Sequence, residues 1–271
     1  MRSSLAVIGV GNMAKAIVSG IMASDSSNTL SSIHLFDVNK EQYTSLLSLN
    51  TVVSHDNLED TVSASDTVLI SVKPQNYPEV LDAIKSISGY ENKLYISIGA
   101  GISTDSIRAS LGNVSVVRAL PNLPMVIGKG VTAICNSSIV TAEDMELVRD
   151  IFSSSGSVLM IDESEMNRVI GVTSSSPAYV FKFIAAICEG AKAQGIESDD
   201  MLNTVCDMVI GAAAMLKNSD LSAAELISRV ASKGGTTERA LLTLDSNNFD
   251  NIIIDAMKAC TTRADELGAA K

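Results

Sequence analysis

Strand-like and helix-like hydrophobic patterns alternate from Leu5 to Asp162, and this alternation restricts the fold more than any other feature of the chain. Short apolar runs at Leu5–Ile8, Ile33–Asp37, Thr67–Val72, Leu94–Gly101, Val114–Pro121, Gly130–Asn136 and Ser157–Asp162 predict strands. Helical patterns at Met13–Ile21, Glu41–Leu49, Glu79–Ile87, Thr104–Ser110 and Ala142–Phe152 lie between them. Strands joined through helices pair parallel, and the helices cover both faces of the sheet. The texture changes after Asp162. No convincing strand follows, and helical patterns fill Glu165–Gly195, Asp199–Leu216, Leu221–Ala231, Thr236–Asp245 and Phe249–Glu266. The expectation is an α/β domain with a mostly parallel sheet over 1–162 and an all-α domain over 163–271. Gly211-Ala212-Ala213-Ala214 allows close helix packing. So much apolar helix surface predicts burial against a second copy of the chain, although a self-contained bundle has the same composition.

The first strand runs into Gly9-Val10-Gly11-Asn12-Met13-Ala14, the spacing G-x-G-x-x-A between a strand and a helix. That context binds a dinucleotide pyrophosphate, although any tight strand-to-helix turn also wants glycine. Gly9 makes the tight turn, Gly11 lets the backbone approach the phosphates, and Ala14 keeps helix and strand close. The helix N-terminus offers free N–H groups and a positive partial charge to the anion. Gly9, Gly11, Asn12 and Met13 are therefore candidate cofactor contacts.

Other candidates follow from the ends of strands. Asp37 ends the second strand, where a carboxylate meets the adenosine ribose or caps the next helix. It favours NAD(H), whereas Asn39 and Lys40 can hold the 2′-phosphate of NADP(H). Val72-Lys73-Pro74-Gln75 follows a buried strand at the sheet edge where ligands lie; Lys73 meets an anionic group there or is a solvated charge. Ala100 and Gly101 end the next strand with small residues that permit close approach to a flat ring. In the helical half, Ser232-Lys233-Gly234-Gly235-Thr236-Thr237-Glu238 opens a helix. It reads as an anion cradle suited to a carboxylate, or as a capping box with Thr as N-cap. Ser174-Ser175-Ser176-Pro177 interrupts another helical pattern, either as a kink or as hydroxyls aimed into a cleft.

Composition narrows the function. The 271 residues are 46% hydrophobic and 19% charged, enough for a sizeable core, and the net charge of −11 argues against nucleic acid as a partner. Cys135, Cys188, Cys206 and Cys260 are scattered and His34 and His55 are the only histidines, so no metal site or disulfide framework is expected. Val209–Leu216 is too short to span a bilayer. Gly9, Gly11, Gly20 and Lys15 punctuate the apolar start, which reads as a first strand and not a signal peptide. A cytoplasmic protein with reduced thiols, no membrane partner and a small-molecule substrate is expected.

With these motifs in hand, the sequence resembles the pyrroline-5-carboxylate reductases along essentially its whole length. The resemblance rests on IGVGNMAKAI, VKPQ, RALPNLPMVIGKGVTA, TSSSPAYVF and SKGGTT. It implies an N-terminal Rossmann-type domain, a helical domain that dimerises or builds larger assemblies, and hydride delivery from NADPH, or NADH, to the imine carbon of the substrate. It implies that Ser175, Gly234, Gly235, Thr236 and Thr237 bind substrate, with Thr237 near the imine nitrogen as the catalytic candidate. It also places Asn57, within HDNLEDTV, in the adenosine pocket. The chain departs from the family at Ser174 and Ser176, where glycines are usual, at Lys233 for proline, at Leu123 for threonine, and at Ser228-Arg229, where an acidic residue is usual. These departures leave a non-catalytic nucleotide-binding paralogue, or a related cyclic-imine reductase, as alternatives. A reductase of the β-hydroxyacid dehydrogenase type is a further one; it wants an Asn four residues after a helical-domain Lys, and Lys182 is followed there by Ala186.

Overall fold

The computed structural model describes residues 2–24 and 30–269. Backbone packing divides the chain into two units, Met1–Ser175 with Cys260–Lys271, and Ser176–Ala259.

The first unit is built on strands β1 (Ser4–Ile8), β2 (Ser32–Phe36), β3 (Val52–Ser54), β4 (Thr67–Ile70), β5 (Leu94–Ser97), β6 (Ser115–Leu120), β7 (Gly130–Asn136) and β8 (Gly156–Met160). Among the described residues they form one eight-stranded sheet in the order β3-β2-β1-β4-β5-β6-β7-β8. Every pairing is parallel except β6 with β7. The strand pleat explains the two-sided core: successive side chains point to opposite faces. Leu5 and Val7 pack on one side with Ile17, Val18 and Ile21 of α1 (Asn12–Ala23) and with Val148, Ile151 and Phe152 of α5 (Ala142–Ser153). Ala6 and Ile8 pack on the other with Val62 of α2 (Leu58–Ser63), Tyr77, Leu81 and Ile84 of α3 (Tyr77–Lys85), and Ile107 and Leu111 of α4 (Thr104–Leu111). A smaller cluster joins Leu120 and Cys135 to Met166 and Val169 of α6 (Met166–Val169). Burial there pushes the Cys135 thiol up to about 12, which keeps it protonated and inert.

Three local features differ from the sequence expectation. The helix expected over Glu41–Leu49 is a 3-10 turn, Lys40–Leu46, opened by Asn39, whose side chain accepts from Glu41 N–H. Thr51 then takes a left-handed φ of 67° and turns the chain into β3, which is only three residues long. That strand and α2 carry too few residues to show a period. The strand expected over Thr67–Val72 ends at Ile70; Ser71 N–H still donates to Ile8 O at 2.9 Å, and Ser71 and Val72 line a cavity.

The second unit is helical: α7 (Ser176–Ala193), α8 (Met201–Lys217), α9 (Ala223–Val230), α10 (Thr236–Ser246) and the first part of α11 (Phe249–Ala269). Ser222 and Glu225 form a reciprocal capping box at α9. Among the described residues of this unit, Val205 alone is buried. The helical run Glu163–Ala193 is long and apolar enough to cross a membrane by length and composition, with a mean hydropathy of 1.3.

Candidate active site

β1 and β4 lie side by side, but the chain leaves β1 toward β2 on one flank and β4 toward β5 on the other. A crevice opens outside the C-terminal ends of strands at such a switch point. The glycine turn sits there, and its two glycines do different work. Gly9 has φ +84°, and a Cβ on it would lie 2.9 Å from Val72 Cγ1 and 3.0 Å from Ser71 O. The fold itself therefore requires glycine at position 9. Gly11 has an ordinary φ of −72° and caps α1 without a side-chain bond. A Cβ on Gly11 would meet nothing within 4 Å. No neighbour in the chain demands a glycine at 11, so its bareness leaves space in front of the first turn of α1. That turn carries no acidic residue, and its N–H groups form an anion-binding end.

Two cavities flank the turn and share Gly11, Ser71, Val72 and Lys73. The larger, about 610 Å³, is lined by Gly9, Asp37, Val38, Leu58 and Gln75 among others. Asp37 is not a free carboxylate: Oδ2 accepts from Val10 N–H at 2.7 Å and Oδ1 from Asn39 N–H at 2.8 Å. Oδ2 thus ties the glycine turn to the end of β2, and Oδ1 holds the local turn into Asn39. Asn39, Lys40 and Asn57 do not line the cavity. Asn57 caps α2, accepting from Asp60 N–H at 2.7 Å and donating to Asp60 Oδ2 at 2.8 Å. Lys40 pairs with Asp56 at 2.5 Å on the surface; that hydrogen bond raises the Lys40 pKa and lowers that of Asp56.

The smaller cavity, about 380 Å³, is lined by the candidates Asn12, Met13, Pro74 and Ala100, but not by Gly101. Ser71, Ile98, Gly99, Leu120, Pro121, Ile170 and Ser174 also line it, and only the folded topology brings them together. Tyr77 braces this wall from behind. Its hydroxyl accepts from Gly99 N–H at 3.0 Å, bonds Ser97 Oγ at 2.8 Å and reaches Ile70 O at 3.0 Å. A Cβ on Gly99 would lie 2.6 Å from the Tyr77 hydroxyl. Burial pushes the Tyr77 pKa to about 12, so it holds the loop as a neutral phenol and is no proton donor at neutral pH.

The polar interruption at Ser174–Ser176 is a π-turn over Ile170–Ser174, with Pro177 in the first turn of α7, where proline is tolerated. Ser175 Oγ lies 3.1 Å from Cys260 Sγ. In the second unit, Gly235 and not a threonine is the N-cap of α10, and it makes no side-chain cap bond. Gly234 has φ +75°, and its N–H donates to Glu238 Oε2 at 2.8 Å. Thr236 and Thr237 open the helix with the hydroxyls not used for capping. The loop thus presents first-turn N–H groups and two hydroxyls, a donor set that suits a carboxylate. Among the described residues no cluster of three metal-ligating side chains occurs.

Residues 163–267 match the family described as pyrroline-5-carboxylate reductase dimerisation, and residues 4–101 match that described as NADP oxidoreductase, coenzyme F420-dependent. The chain is 32% identical to the pyrroline-5-carboxylate reductase of Haemophilus influenzae over 97% of both proteins, and 32% identical to that of Synechocystis over 99% of both. The pyrroline-5-carboxylate reductase structure from Coxiella burnetii superposes with a TM-score of 0.87 at 28% identity, covering 98% of each chain. The Plasmodium falciparum pyrroline carboxylate reductase with NADP bound superposes at 0.85 and 26% identity, also covering 98% of each.

Proposed function

This chain belongs to the pyrroline-5-carboxylate reductase family, and on that premise we propose that it reduces 1-pyrroline-5-carboxylate to L-proline with NADPH, and with NADH less well. The observation that carries the reading is the open space over Gly11, flanked by two cavities that meet at the anion-binding end of α1. The residues fit a dinucleotide: a helix N-terminus for the pyrophosphate, and one chamber on each side of it. When bound, the cofactor supplies the hydride, and the bond-making chemistry is its own.

The chain's part is binding and orientation. Gly9, Gly11, Asn12 and Met13 receive the pyrophosphate. Asp37, held by Val10 and Asn39, has its charge partly answered by two amides, which lessens its repulsion of a 2′-phosphate. Asn39, Lys40 and Asn57, which lie outside the lining of that chamber, are assigned to the adenosine end of the cofactor. Lys40 exchanges its exposed Asp56 partner for the phosphate at little cost, since solvent screens the pair. Val72, Lys73, Pro74 and Ala100 shape the second chamber, Gln75 belongs to the first, and Gly101 follows Ala100 outside the lining. Ser175 and the loop Gly234–Thr237 bind the imino acid, whose carboxylate takes the first-turn N–H groups of α10. The Thr237 hydroxyl serves the imine nitrogen.

We assign nucleotide binding to residues 1–162 and substrate binding and dimerisation to 163–271. The apolar run Glu163–Ala193 then faces protein in a homodimer or larger assembly, not lipid. Four unbonded cysteines suit a cytoplasmic enzyme of proline synthesis. Following the absorbance of NADPH and NADH with purified protein and 1-pyrroline-5-carboxylate tests the reading. Turnover is expected with a higher kcat/KM for NADPH. An inert protein removes the activity, and a tenfold preference for NADH shows that Asp37 decides the choice.

A further inference from the structure

Ser174 carries a buried hydroxyl with nothing to bond. Its Oγ is sealed from solvent and has no hydrogen-bond partner among the described residues, although Ser174 lines the smaller cavity. The preceding residue shows the ordinary solution: Thr173 Oγ1 donates back to Val169 O at 3.2 Å. The corresponding carbonyl for Ser174 is Ile170 O. It accepts instead from Ser175 N–H at 2.9 Å, because the helix opens into a π-turn at this point. Such turns recur at functional sites. This one is anchored from the side: Asn122 Nδ2 donates to Thr173 O at 2.8 Å while Asn122 Oδ1 accepts from Val131 N–H at 2.9 Å. A scaffold this well bonded holds one serine unsatisfied, and a buried polar group left so calls for a missing partner.

The geometry points to Ser174 as a cofactor-orienting residue: turned about χ1 into the cavity that Ser174 lines, its hydroxyl bonds the carboxamide of the nicotinamide ring when the dinucleotide is seated. The assignment rests on the dinucleotide reading of the two cavities. The rest of the wall supports it. Met13, Val72, Pro74, Ile98, Leu120 and Ile170 give apolar surface that suits the faces of a flat ring. A carboxamide is that ring's polar substituent, and it offers both donors and an acceptor to a hydroxyl. One such bond fixes the rotation of the ring about its glycosidic link and so selects which face it presents.

The test is Ser174→Ala, read by equilibrium titration with NADPH and with 2′-phospho-ADP-ribose, the same nucleotide without the nicotinamide ring. NADPH binding should weaken about three- to tenfold, the worth of one neutral hydrogen bond, while the ringless nucleotide binds as before. The melting temperature of the ligand-free variant should rise, because an unpartnered buried hydroxyl has been removed. A merely structural serine gives the reverse pattern. Equal weakening of both nucleotides, undiminished NADPH binding, a lowered ligand-free melting temperature, or a loss confined to the KM of the imine each overturns the assignment. Wild-type protein that binds no NADPH takes the dinucleotide reading down with it. Wild-type protein that binds NADPH no better than Ser174→Ala removes Ser174 alone.

Discussion

The sheet unit and the helical unit bury their apolar residues in opposite ways. In the first, every residue of β1, β4 and β5 is buried, and the helices on both faces close the core from within one chain. In the second, α8 is apolar on nearly all sides, yet Val205 is 4% exposed and Ile210, on the far side of the same helix, is 66% exposed. A helix that is hydrophobic all round belongs inside something. The sheet unit therefore closes its own core, while the helical unit leaves most of its apolar surface uncovered within one chain. The match of residues 163–267 to a dimerisation family takes in all of the helical unit and short flanking parts of the sheet unit.

The strongest way to break this contrast is a charge on each unit's exposed apolar surface. Ile210→Asp should shift the protein from dimer to monomer in sedimentation and lower its melting temperature by roughly 10 °C, since an uncompensated charge in a covered interface costs several kcal/mol per copy. Leu47→Asp, at a residue of the sheet unit that is 44% exposed, should change neither appreciably. An Ile210→Asp dimer with an unaltered transition would show that this face of α8 stays in solvent.

A smaller effect separates the units by function. Thr237→Ala should cost about ten- to a hundredfold in kcat/KM, from a charge-assisted hydrogen bond worth roughly 1.5–3 kcal/mol. Nucleotide affinity should hold if the nucleotide sits in the sheet unit as proposed, and Thr237→Ser should retain most activity. A Thr237→Ala protein with a lowered melting point and full efficiency would reduce Thr237 to a helix-opening residue.

Within the sheet unit, the two glycines of the turn should respond differently. Gly11→Val is expected to weaken nucleotide binding more than tenfold and to leave the melting temperature nearly unchanged, because the new side chain has room in the ligand-free chain. Gly9→Val should destabilise the fold itself, through its positive φ and the contact with Val72. Equal nucleotide titrations for Gly11→Val and wild type would end the dinucleotide reading of the turn.

The same contrast explains what could be read from sequence. The parallel sheet was legible because strands buried on both faces are continuous apolar runs, as in Val68–Ile70 and Tyr95–Ile96. The glycine turn was legible because its geometry is local. β3 and α2 were not, since three and six residues show no period. The wall made by Ile98, Leu120, Pro121, Ile170 and Ser174 was not either, because it is assembled from segments far apart in sequence. The triple serine was visible as a polar interruption, but nothing in the sequence told which of its hydroxyls would be left unbonded. At Asp37, the position was readable and the bonding was not: a strand-end carboxylate looks available until Val10 and Asn39 are seen to hold both oxygens.

The smallest expected effect concerns the outer edge of the sheet unit, where both histidines sit, while the helical unit has none. His34 Nδ1 lies 2.8 Å from His55 Nε2, and His34 Nε2 bonds Ser32 Oγ at 2.9 Å. One proton can be shared between the facing nitrogens; a second makes both of them donors and breaks the contact. Burial, and then the neighbouring His55 charge, lowers the His34 pKa below its ordinary 6.5. A histidine whose folded pKa is depressed binds fewer protons in the native state than in the unfolded one. Its contribution to stability is therefore complete above about pH 6.5 and is lost as pH falls from there through the folded pKa. His34→Gln keeps a polar side chain on β2 and removes the titration. The wild-type melting temperature should fall more steeply than that of His34→Gln between pH 7 and pH 5, by a few degrees at most, and the two slopes should converge below that range, where carboxylates dominate. Amide exchange should place the loss at β2 and β3, whose pairing spans three residues, and leave the helical unit unchanged. Parallel melting curves for the two proteins across that range would show that the histidine pair bears no load at the sheet edge.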